Sequence, residues 1–460
     1  MPLEMIKSTA NRVPEPGIRA LFTLDSRWQY WLDVEAALAQ AQARVGMIPQ
    51  VVADKISAAA HLDLLDRECI EETNRRTAHT IVPLIWELSR VAGEDAGGWV
   101  HWGATTQNIV QTGDILILRQ AHEQFLGYLS RTLGLLAQTA QETASIPIAG
   151  RTHGQHAIPV TFGFKVGIWI DELLRHFERL NSAAERALVT VLGGAAGTFA
   201  AMGPQGPDVQ RELAAILNLR QATHPARSIA DHLAEYVSVL GLLAGTTEKI
   251  GREVYSLMRT EYGEVEEPMP AGTVGSSTMP QKRNPHICQD IIARSASVRA
   301  AVPMALEGMV VEHEADRSKD LLMQEALSTA CIAMGDVLVR VVHIADEMSV
   351  NSARMAKNLQ LTGGLIMAES VMMKLGEVFG RQRAHDLVYD ATQRVASGVG
   401  TFAELLQANP AIREQLDADA LADLLDPSTY LGHAPEIAVD AATRARTAVA
   451  NFEVSKRAKS

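Results

Sequence analysis

Residues 229–257 read IADHLAEYVSVLGLLAGTTEKIGREVYSL, and their spacing indicates the fold class. Apolar side chains recur at alternating steps of four and three residues, which is the heptad spacing of a helix in a left-handed bundle. Ser228 is a suitable N-cap just before this run. The pattern predicts one long amphipathic helix, with Thr247 in one seam position and apolar residues in the others: Ile229, Leu233, Tyr236, Leu240, Leu243, Ile250, Val254 and Leu257.

A second seam of the same kind lies earlier in the chain. It consists of Val166, Ile170, Leu173, Phe177 and Leu180. Two long helices with narrow apolar stripes indicate an all-α protein built around a central helical bundle. Stripes of this length usually leave apolar surface over for a neighbouring subunit, so we expect an oligomer.

The chain has 460 residues, which is too many for one compact core. We expect three helical domains, at residues 1–112, 113–363 and 364–460, with the long helices and a polar loop at 270–285 in the middle one. Gly363-Gly364 interrupts the helical pattern before the third domain. In that domain Asn409-Pro410 and Asp426-Pro427 each read as an N-cap followed by the first helical residue.

Composition narrows the class of protein. A net charge of −12 gives no basic surface for nucleic acid or for an anionic membrane. The amino terminus lacks a signal-peptide core, and no run approaches the roughly 18 apolar residues of a membrane span, so we expect a cytoplasmic location. The 3 cysteines are far apart, which argues against a disulfide framework or a zinc cluster.

Residues 275–285 read GSSTMPQKRNP and combine hydroxyls, a lysine and a carboxamide. Gly275, Pro280 and Pro285 disfavour any regular element here. The polar groups therefore lie on a connecting loop, where chemistry is commonly carried. This combination predicts an anion-handling catalytic loop.

Three other runs contain residue types that could take part in catalysis or ligand binding. Residues 150–156, GRTHGQH, hold two imidazoles, one of which could be a general acid or base, and Pro159 is expected to begin the next helix. Metal binding by this pair is the competing interpretation, but no third ligand stands at a suitable spacing. The glycine run 193–197 predicts a tight turn rather than a phosphate cradle. The acidic run 261–267 is interpreted as solvated surface rather than as a metal site.

Together these runs resemble the fumarase/aspartase superfamily. Residues 103–108, GATTQN, resemble its first motif, residues 151–156, RTHGQH, its second, and residues 275–285 its GSSxMPxKxNP signature. The HWGATTQ and THGQHAIPVTFG wording and the tail Tyr430-Leu431-Gly432 resemble most the adenylosuccinate lyase and 3-carboxy-cis,cis-muconate cycloisomerase branch. The resemblance implies a homotetramer with active sites shared between subunits. It also implies a small dicarboxylate or tricarboxylate substrate and no organic cofactor. The spacing and charge considered above predict no metal, and neither nucleic acid nor membrane as a partner.

The resemblance also implies residue roles. Ser276 is the general base, acting as an alkoxide, and His153 is the acid that protonates the leaving nitrogen or oxygen. Lys282 and Asn284 stabilise the aci-carboxylate that forms when a proton is removed beside a carboxylate. The remaining predicted contacts bind the substrate: Thr105, Thr106, Thr152, Ser277, Met279, Gln155 and Arg151.

The chain departs from the superfamily pattern at three positions. Asn108 and Gln111 stand where the first motif usually has aspartates, and Gln289 stands where lyases commonly place a glutamate that pairs with the acid histidine. A carboxamide cannot stabilise an imidazolium as a carboxylate does. We therefore expect Asn108 and Gln289 to modulate catalysis, with His153 holding its proton less firmly than in a typical lyase.

These observations rank three functions. The first is a lyase that cleaves a C–N bond of an N-substituted aspartate by proton abstraction and releases fumarate. The second is an isomerase that uses the same carbanion without net elimination, either a 3-carboxymuconate-type cycloisomerase or an epimerase of a dicarboxylate such as iminodisuccinate. The third is a non-catalytic structural oligomer. The leaving group stays open: a purine amine, a second amino acid, a lactone oxygen or none.

Overall fold

The structure is a computed structural model that describes residues 9, 12–269, 272, 274 and 276–458. Gly275, the first residue of the signature, lies outside the described residues. The first seven helices are α1 Ile18–Leu21, α2 Leu24–Arg44, α3 Gln50–Ala59, α4 Arg67–Thr77, α5 Val82–Ala92, α6 Glu94–Gly97 and α7 Thr106–Glu142. The next five are α8 Phe162–Ala187, α9 Gly206–Ile216, α10 Asp231–Leu257, α11 His286–Gly308 and α12 Arg317–Glu347.

Seven further helices follow: α13 Ser352–Leu359, α14 Ala368–Phe379, α15 Arg381–Ala396, α16 Phe402–Ala408, α17 Pro410–Arg413, α18 Ala418–Leu424 and α19 Ala434–Arg457. Short 3-10 turns occur at Leu62–Leu64, Gly203–Gln205, Leu365–Met367 and Pro427–Thr429. The strands are β1 Pro147–Thr152, β2 Gln155–Thr161, β3 Val189–Thr190, β4 Arg220–Gln221, β5 Val265–Glu266 and β6 Ser349–Val350. They form three two-stranded sheets: β1-β2 and β5-β6 antiparallel, and β3-β4 parallel. The predicted all-α class is confirmed, with these small sheets as additions.

The predicted heptad seams lie on the long helices α10 and α8, except that Ile229 precedes α10 and is 40% exposed. Every seam residue of α10 from Leu233 onward is buried, and Thr247 satisfies its hydroxyl by donating to the carbonyl of Leu243 at 3.2 Å. The predicted N-cap at Ser228 is wrong. A turn, closed by the Ile229 amide on the Ala226 carbonyl, occupies that segment, so α10 begins only at Asp231.

The expected helix start at Pro159 is also wrong. Pro159 lies in β2, opposite Ala149, and the register of the pair shifts between Ala149 and Arg151. A proline in a strand is tolerated at such an irregularity, because its missing N–H would otherwise leave a gap in the ladder. Helix α8 starts after Thr161, whose hydroxyl accepts the amide N–H of Phe164 at 3.1 Å.

The two predicted caps of the carboxyl-terminal region are confirmed. The side chain of Asn409 accepts the amide of Ala411 at the start of α17. The side chain of Asp426 accepts the amide of Ser428 at the start of a 3-10 turn. The break at Gly363-Gly364 is also present, with φ of 58° and 90°, angles that favour glycine.

The described residues form two compact units. The first comprises the described parts of Met1–Tyr128 with His176–Glu248 and Ile291–Val339. The second comprises Leu129–Arg175 with the described parts of Lys249–Asp290 and of Arg340–Ser460. The core of the first unit includes Trp28, Leu32 and Leu88, and a core in the second includes Val371, Phe402 and Leu406. Domain limits at 112 and 363 stay a prediction about the sequence. Residue 112 itself lies inside α7.

Helix α12 is long and apolar enough to cross a membrane by length and composition, and no other helix among the described residues meets that test. Its most apolar window is 78% buried inside the protein. Burial of that extent is the pattern of a core helix.

Candidate active site

The second motif lies on the β1-β2 hairpin, in the second unit. Thr152 pairs with Gln155, and the two residues between them form the tip. Both have positive φ, 53° for His153 and 76° for Gly154, as the favoured two-residue hairpin turn requires. Glycine adopts this conformation freely, whereas a histidine there is uncommon and needs support from the surrounding structure. The turn leaves the His153 side chain exposed.

A buried ion pair lies at the base of this tip. Arg151 donates from Nη1 and Nη2 to the two carboxylate oxygens of Glu264, at 2.9 and 2.8 Å. Asn358 donates to the same carboxylate at 2.8 Å, and the Arg151 guanidinium lies 4.6 Å from the centre of the Tyr262 ring. The side chains are only 10% and 0% exposed. Glu264 accepts hydrogen bonds from both terminal nitrogens of Arg151, so Arg151 fixes the hairpin, and its contact with substrate stays a prediction.

The interpretation of the acidic run as solvated surface is wrong for two of its members. Glu264 is fully buried in the pair just described, and Glu267 is 2% exposed. The Glu267 carboxylate accepts the amides of Ile287 and Cys288, at 3.0 and 2.9 Å, in the first turn of α11. A carboxylate there satisfies free amides and complements the helix dipole. It thereby anchors the helix into which the signature loop leads.

The second imidazole of the motif has a different environment. His156 is paired with Arg151 across the hairpin and is partly buried. Burial lowers the pKa of His156, and the charge of Arg151 lowers it further. His156 is therefore neutral at pH 7, which leaves His153 as the exposed imidazole of the pair.

The signature loop presents its hydroxyl in a polar setting. The Oγ of Ser276 accepts the amide N–H of Met279 at 3.2 Å and that of Thr278 at 3.4 Å. Ser277, Met279 and Lys282 are exposed, and Asn284 is partly exposed. Backbone amides aimed at one oxygen favour its anionic form.

The predicted modulator Gln289 lies in the first turn of α11. Its side chain is exposed, and its amide donates to the carbonyl of Pro285 at 2.9 Å. The position is therefore open to solvent or to another chain.

The first motif lies in the first unit, at the start of α7. Asn108 is 1% exposed, and its Oδ1 accepts the amides of Thr105 and Gly194, each at 3.1 Å. The side chain thus connects the threonines to the glycine run 193–197, which forms the predicted turn. Asn108 shapes this loop from within the protein.

A cavity of about 760 Å³ opens beside Thr106 in the same unit. Its polar lining residues from α7, α12 and the segments before α5 and α10 are His79, Thr80, Thr106, Gln107, Gln111, Asp114, Arg227, Arg317, Asp320 and Gln324. Arg27 also lines it and pairs with Asp114 at 2.7 Å, and Gln324 donates to the same carboxylate at 2.9 Å. Burial raises the pKa of Asp114, against the opposing effect of Arg27.

Asp320 and Arg227 face this cavity as well. Gln107 donates to Asp320 at 2.7 Å. Burial raises the pKa of Asp320 to about 6, while the positive charge of Arg227 acts in the opposite direction. Gln111 donates to the backbone carbonyl of Arg227 at 3.1 Å.

The predicted site residues therefore fall into three groups. Arg151, Thr152, His153 and Gln155 lie on the hairpin, and Ser276, Ser277, Met279, Lys282 and Asn284 lie on the signature loop. Thr105, Thr106 and Asn108 lie at the start of α7. The sequence interpretation missed Glu264, Glu267, Arg227 and Asp320, because their partners are distant in the chain. It also missed His79, which no motif marks. Among the described residues no cluster of His, Cys, Asp and Glu forms a metal site.

Comparison with known proteins gives consistent matches. Residues 10–300 match the family described as Lyase, and residues 364–441 match the family described as Adenylosuccinate lyase C-terminus. The chain is 38% identical to N-acetyl-S-(2-succino)cysteine lyase of Dickeya dadantii, over 93% of this chain and 94% of that protein. It is 39% identical to 3-carboxy-cis,cis-muconate cycloisomerase of Pseudomonas aeruginosa, over 91% and 92%. The crystal structure of 3-carboxy-cis,cis-muconate lactonizing enzyme from Pseudomonas putida superimposes with a TM-score of 0.89 at 35% identity, covering 96% of this chain and 99% of that one.

Proposed function

The chain belongs to the lyase family of the fumarase/aspartase superfamily, in the branch of the adenylosuccinate lyases and carboxymuconate cycloisomerases, and from this premise we propose that it cleaves a C–N bond of an N-substituted aspartate and releases fumarate. The substrate is a small dicarboxylate. The reaction removes a proton beside one carboxylate and expels the nitrogen from the neighbouring carbon. No organic cofactor takes part.

The observation that carries this proposal is the environment of the Ser276 hydroxyl. A serine hydroxyl is a base only as an alkoxide, and two backbone amides already donate to its Oγ. Lys282 stands on the same loop and would add a positive charge when the loop closes over substrate. The aci-carboxylate formed next carries two negative charges on one group, which Lys282 and Asn284 would hold.

Protonation of the leaving nitrogen falls to His153. Its place at the tip of a hairpin exposes the imidazole to an incoming substrate, and the Arg151–Glu264 pair holds the base of the tip rigid. Thr152 and Gln155 flank the imidazole in the hairpin register. Thr152, Gln155, Thr105, Thr106, Ser277 and Met279 would contact the substrate, as their motif positions imply.

We propose a homotetramer in which each active site collects the three groups from different subunits. Long central helices expose large apolar side chains that a neighbouring subunit would cover: Ile168, Leu242, Leu306 and Leu321, each between 40% and 57% exposed. A helix bundle that leaves such residues in water is destabilised unless another chain packs on it. A cytoplasmic location fits a small metabolic substrate.

An isomerase is the second candidate, and Gln289 favours it. A carboxamide at this exposed position cannot hold a proton on His153 as a carboxylate would, which slows protonation of an amine leaving group. The carbanion would then be protonated rather than expel a leaving group. In an epimerase the proton returns to the opposite face, and in a cycloisomerase the carbanion arises when a carboxylate oxygen adds to the muconate double bond, so that protonation completes the lactone. A non-catalytic oligomer is the weakest candidate, because Ser276, His153, Lys282 and Asn284 are all present.

Proton NMR in deuterium oxide separates these candidates. The purified protein is incubated with adenylosuccinate, iminodisuccinate, N-alkylated aspartates and 3-carboxymuconate. The fumarate vinyl signal is expected, together with an amine co-product that identifies the leaving group. Deuterium incorporation with stereochemical scrambling, or lactone formation, without fumarate would replace the lyase by the isomerase. No change in any substrate would leave only the structural oligomer.

A further inference from the structure

Charged side chains of both signs line the cavity beside Thr106. Three arginines and two aspartates line it, with Thr106 at one side. Arg27 and Asp114 form a pair with each other, so they neutralise one another. The remaining charged groups are Arg227, Arg317 and Asp320, which leaves two cations and one anion for a ligand.

The backbone of Arg227 is held by hydrogen bonds, while its side chain has an N–H donor without a partner among the described residues. Its backbone carbonyl accepts the side-chain amides of Gln107 and Gln111, at 3.4 and 3.1 Å. Its Nε is buried and has no hydrogen-bond partner among the residues that the structure describes. The Oε1 of Gln111 is buried and equally without a partner in that part of the chain. An unsatisfied buried donor of a guanidinium is costly, and a carboxylate of the ligand would satisfy it.

Asp320 supplies the complementary charge. Gln107 donates to its carboxylate and fixes its orientation. The charged groups that act on it from its own helix and from neighbouring segments are Arg227, Asp316, Arg317 and Asp114. A cation on the ligand would compensate the burial of this carboxylate, which otherwise favours its protonated form.

We propose that this cavity holds the leaving group and that the leaving group is a short α-amino acid, whose α-carboxylate contacts Arg227 and whose α-ammonium contacts Asp320. This inference rests on the elimination proposed above, because only then does the substrate have a leaving amine. The amine that departs is a second amino group, on the side chain of that amino acid. Thr106 lines this cavity and is also a predicted contact of the succinyl carboxylates, so the two halves of the substrate would meet at that residue.

The bond changes balance without a further reactant. Ser276 takes the proton from the carbon beside the carboxylate, and the C–H electron pair becomes the second bond of fumarate. The C–N electron pair leaves with nitrogen, which takes a proton from His153. The products are fumarate and a free diamino acid.

A nucleotide would fit the side of the cavity formed by Arg227 and Asp320 less well. A phosphate dianion beside Arg227 would lie close to Asp320 and Asp316, and like charges at such separations are unfavourable. A zwitterion instead places one charge of each sign opposite its complement. Adenylosuccinate is therefore the alternative that the experiment must include.

The test uses three N-substituted aspartates that differ only in the amine released. In the first, the leaving amine is the 3-amino group of 2,3-diaminopropanoate. The second releases ethylenediamine and so lacks the carboxylate, and the third releases β-alanine and so lacks the α-ammonium. Fumarate release is followed for each and for adenylosuccinate, with the full-length enzyme.

The expected result is a ranking and two selective losses. The diaminopropanoate substrate should exceed each truncated one by at least about 10-fold in kcat/KM, as loss of a hydrogen bond to a charged group implies. Arg227→Gln should reduce the rates of the two carboxylate-bearing substrates and spare the ethylenediamine substrate. Asp320→Asn should reduce the two ammonium-bearing substrates and spare the β-alanine substrate. The spared substrate in each variant reports that the enzyme is folded.

Arg220→Gln is the matched control, because Arg220 is an exposed arginine of the same unit that pairs with exposed Glu185 at 3.5 Å. It should leave all rates unchanged. Equal rates on the three aspartates, a preference for adenylosuccinate, or uniform losses in both variants would overturn the assignment.

Absence of fumarate from every substrate would contradict the proposed elimination instead. The cavity is then tested separately by titration calorimetry with the free amines. Tighter binding of 2,3-diaminopropanoate than of ethylenediamine and β-alanine, lost in Arg227→Gln, would retain the cavity as an amino-acid site. Equal binding would reject it.

Discussion

Replacing Glu264 by glutamine is expected to destabilise the protein and to slow turnover. The carboxylate accepts two hydrogen bonds from Arg151, at 2.9 and 2.8 Å, and one from Asn358, at 2.8 Å. A carboxamide of the same shape turns one of its two acceptor oxygens into an N–H donor, so at least one of these donors meets another donor. It also leaves the buried Arg151 cation without a counter-charge. Breaking a buried ion pair in this way costs about 3–5 kcal/mol.

An exposed arginine–glutamate pair that also has two hydrogen bonds provides the control. Arg186 donates from Nε and Nη2 to the two oxygens of Glu235, at 2.7 and 2.5 Å, but these side chains are 52% and 39% exposed. Exposed pairs contribute about 0–1 kcal/mol, because water solvates either partner when the other is removed. Glu235→Gln should therefore cost several-fold less free energy than Glu264→Gln.

Thermal unfolding at one protein concentration and steady-state turnover are the assays. Glu264→Gln should lower Tm clearly more than Glu235→Gln does. It should also reduce kcat by about 10²-fold, since a displacement of roughly 1 Å at the hairpin tip misplaces His153. Adding Arg151→Met to Glu264→Gln removes the unpaired cation and should recover part of the lost Tm. Equal Tm losses in the two single variants, or no recovery in the double variant, would refute the argument from burial.

Three further changes test separate parts of the account. Asn108→Ala should destabilise the enzyme by about 1–3 kcal/mol for each amide left without its acceptor. Asn108→Asp keeps an acceptor oxygen, so at a pH low enough to protonate this buried carboxyl it should lower Tm less than Asn108→Ala does. In the folded protein the pKa of Asp320 is raised from 3.8 to about 6, so this carboxyl binds a proton more tightly in the folded protein than in the unfolded chain. Its contribution to the free energy of unfolding therefore falls as the pH rises from about 4 to about 6. The Tm of Asp320→Asn relative to wild type should accordingly rise between pH 4 and pH 7, and a constant difference would contradict the burial of this carboxylate. Gln289→Glu should speed fumarate release and keep it active to higher pH, because a carboxylate holds the proton on His153, while Gln415→Glu at an exposed position should change neither.

Much of the helical fold follows from the sequence. Heptad spacing located α8 and α10, because a helix that packs along its length must repeat apolar residues every 3.5 positions on average. Paired polar and proline residues located the starts of α17 and the last 3-10 turn, because their side chains satisfy the free amides there. The hairpin of β1 and β2 was not predicted. Its residues alternate over too short a distance, and Pro159 favoured a helix start by local rules alone.

The candidate site was likewise predictable from the sequence only in part. The residues of the three motifs could be named from the sequence because their order and wording resemble a known superfamily. The charges that position them could not be found, because their partners are remote in the chain. Arg151 and Glu264 are 113 residues apart, and Gln107 and Asp320 are 213 apart. Whether a glutamate is solvated or buried depends on such partners, which is why the acidic run was misinterpreted.

The measurement that tests the central claim most directly is real-time proton NMR in deuterium oxide of the wild-type enzyme, Ser276→Ala and Ser277→Ala with one N-substituted aspartate. The wild type is predicted to produce the fumarate signal. Ser276→Ala should reduce that rate by about 10²–10⁴-fold with an unchanged Tm. Ser277→Ala should retain far more of it, because among the described residues of the loop the Ser276 hydroxyl, and not that of Ser277, accepts the amides of Thr278 and Met279. Fumarate release by Ser276→Ala at the wild-type rate would contradict the assignment of this serine as the base.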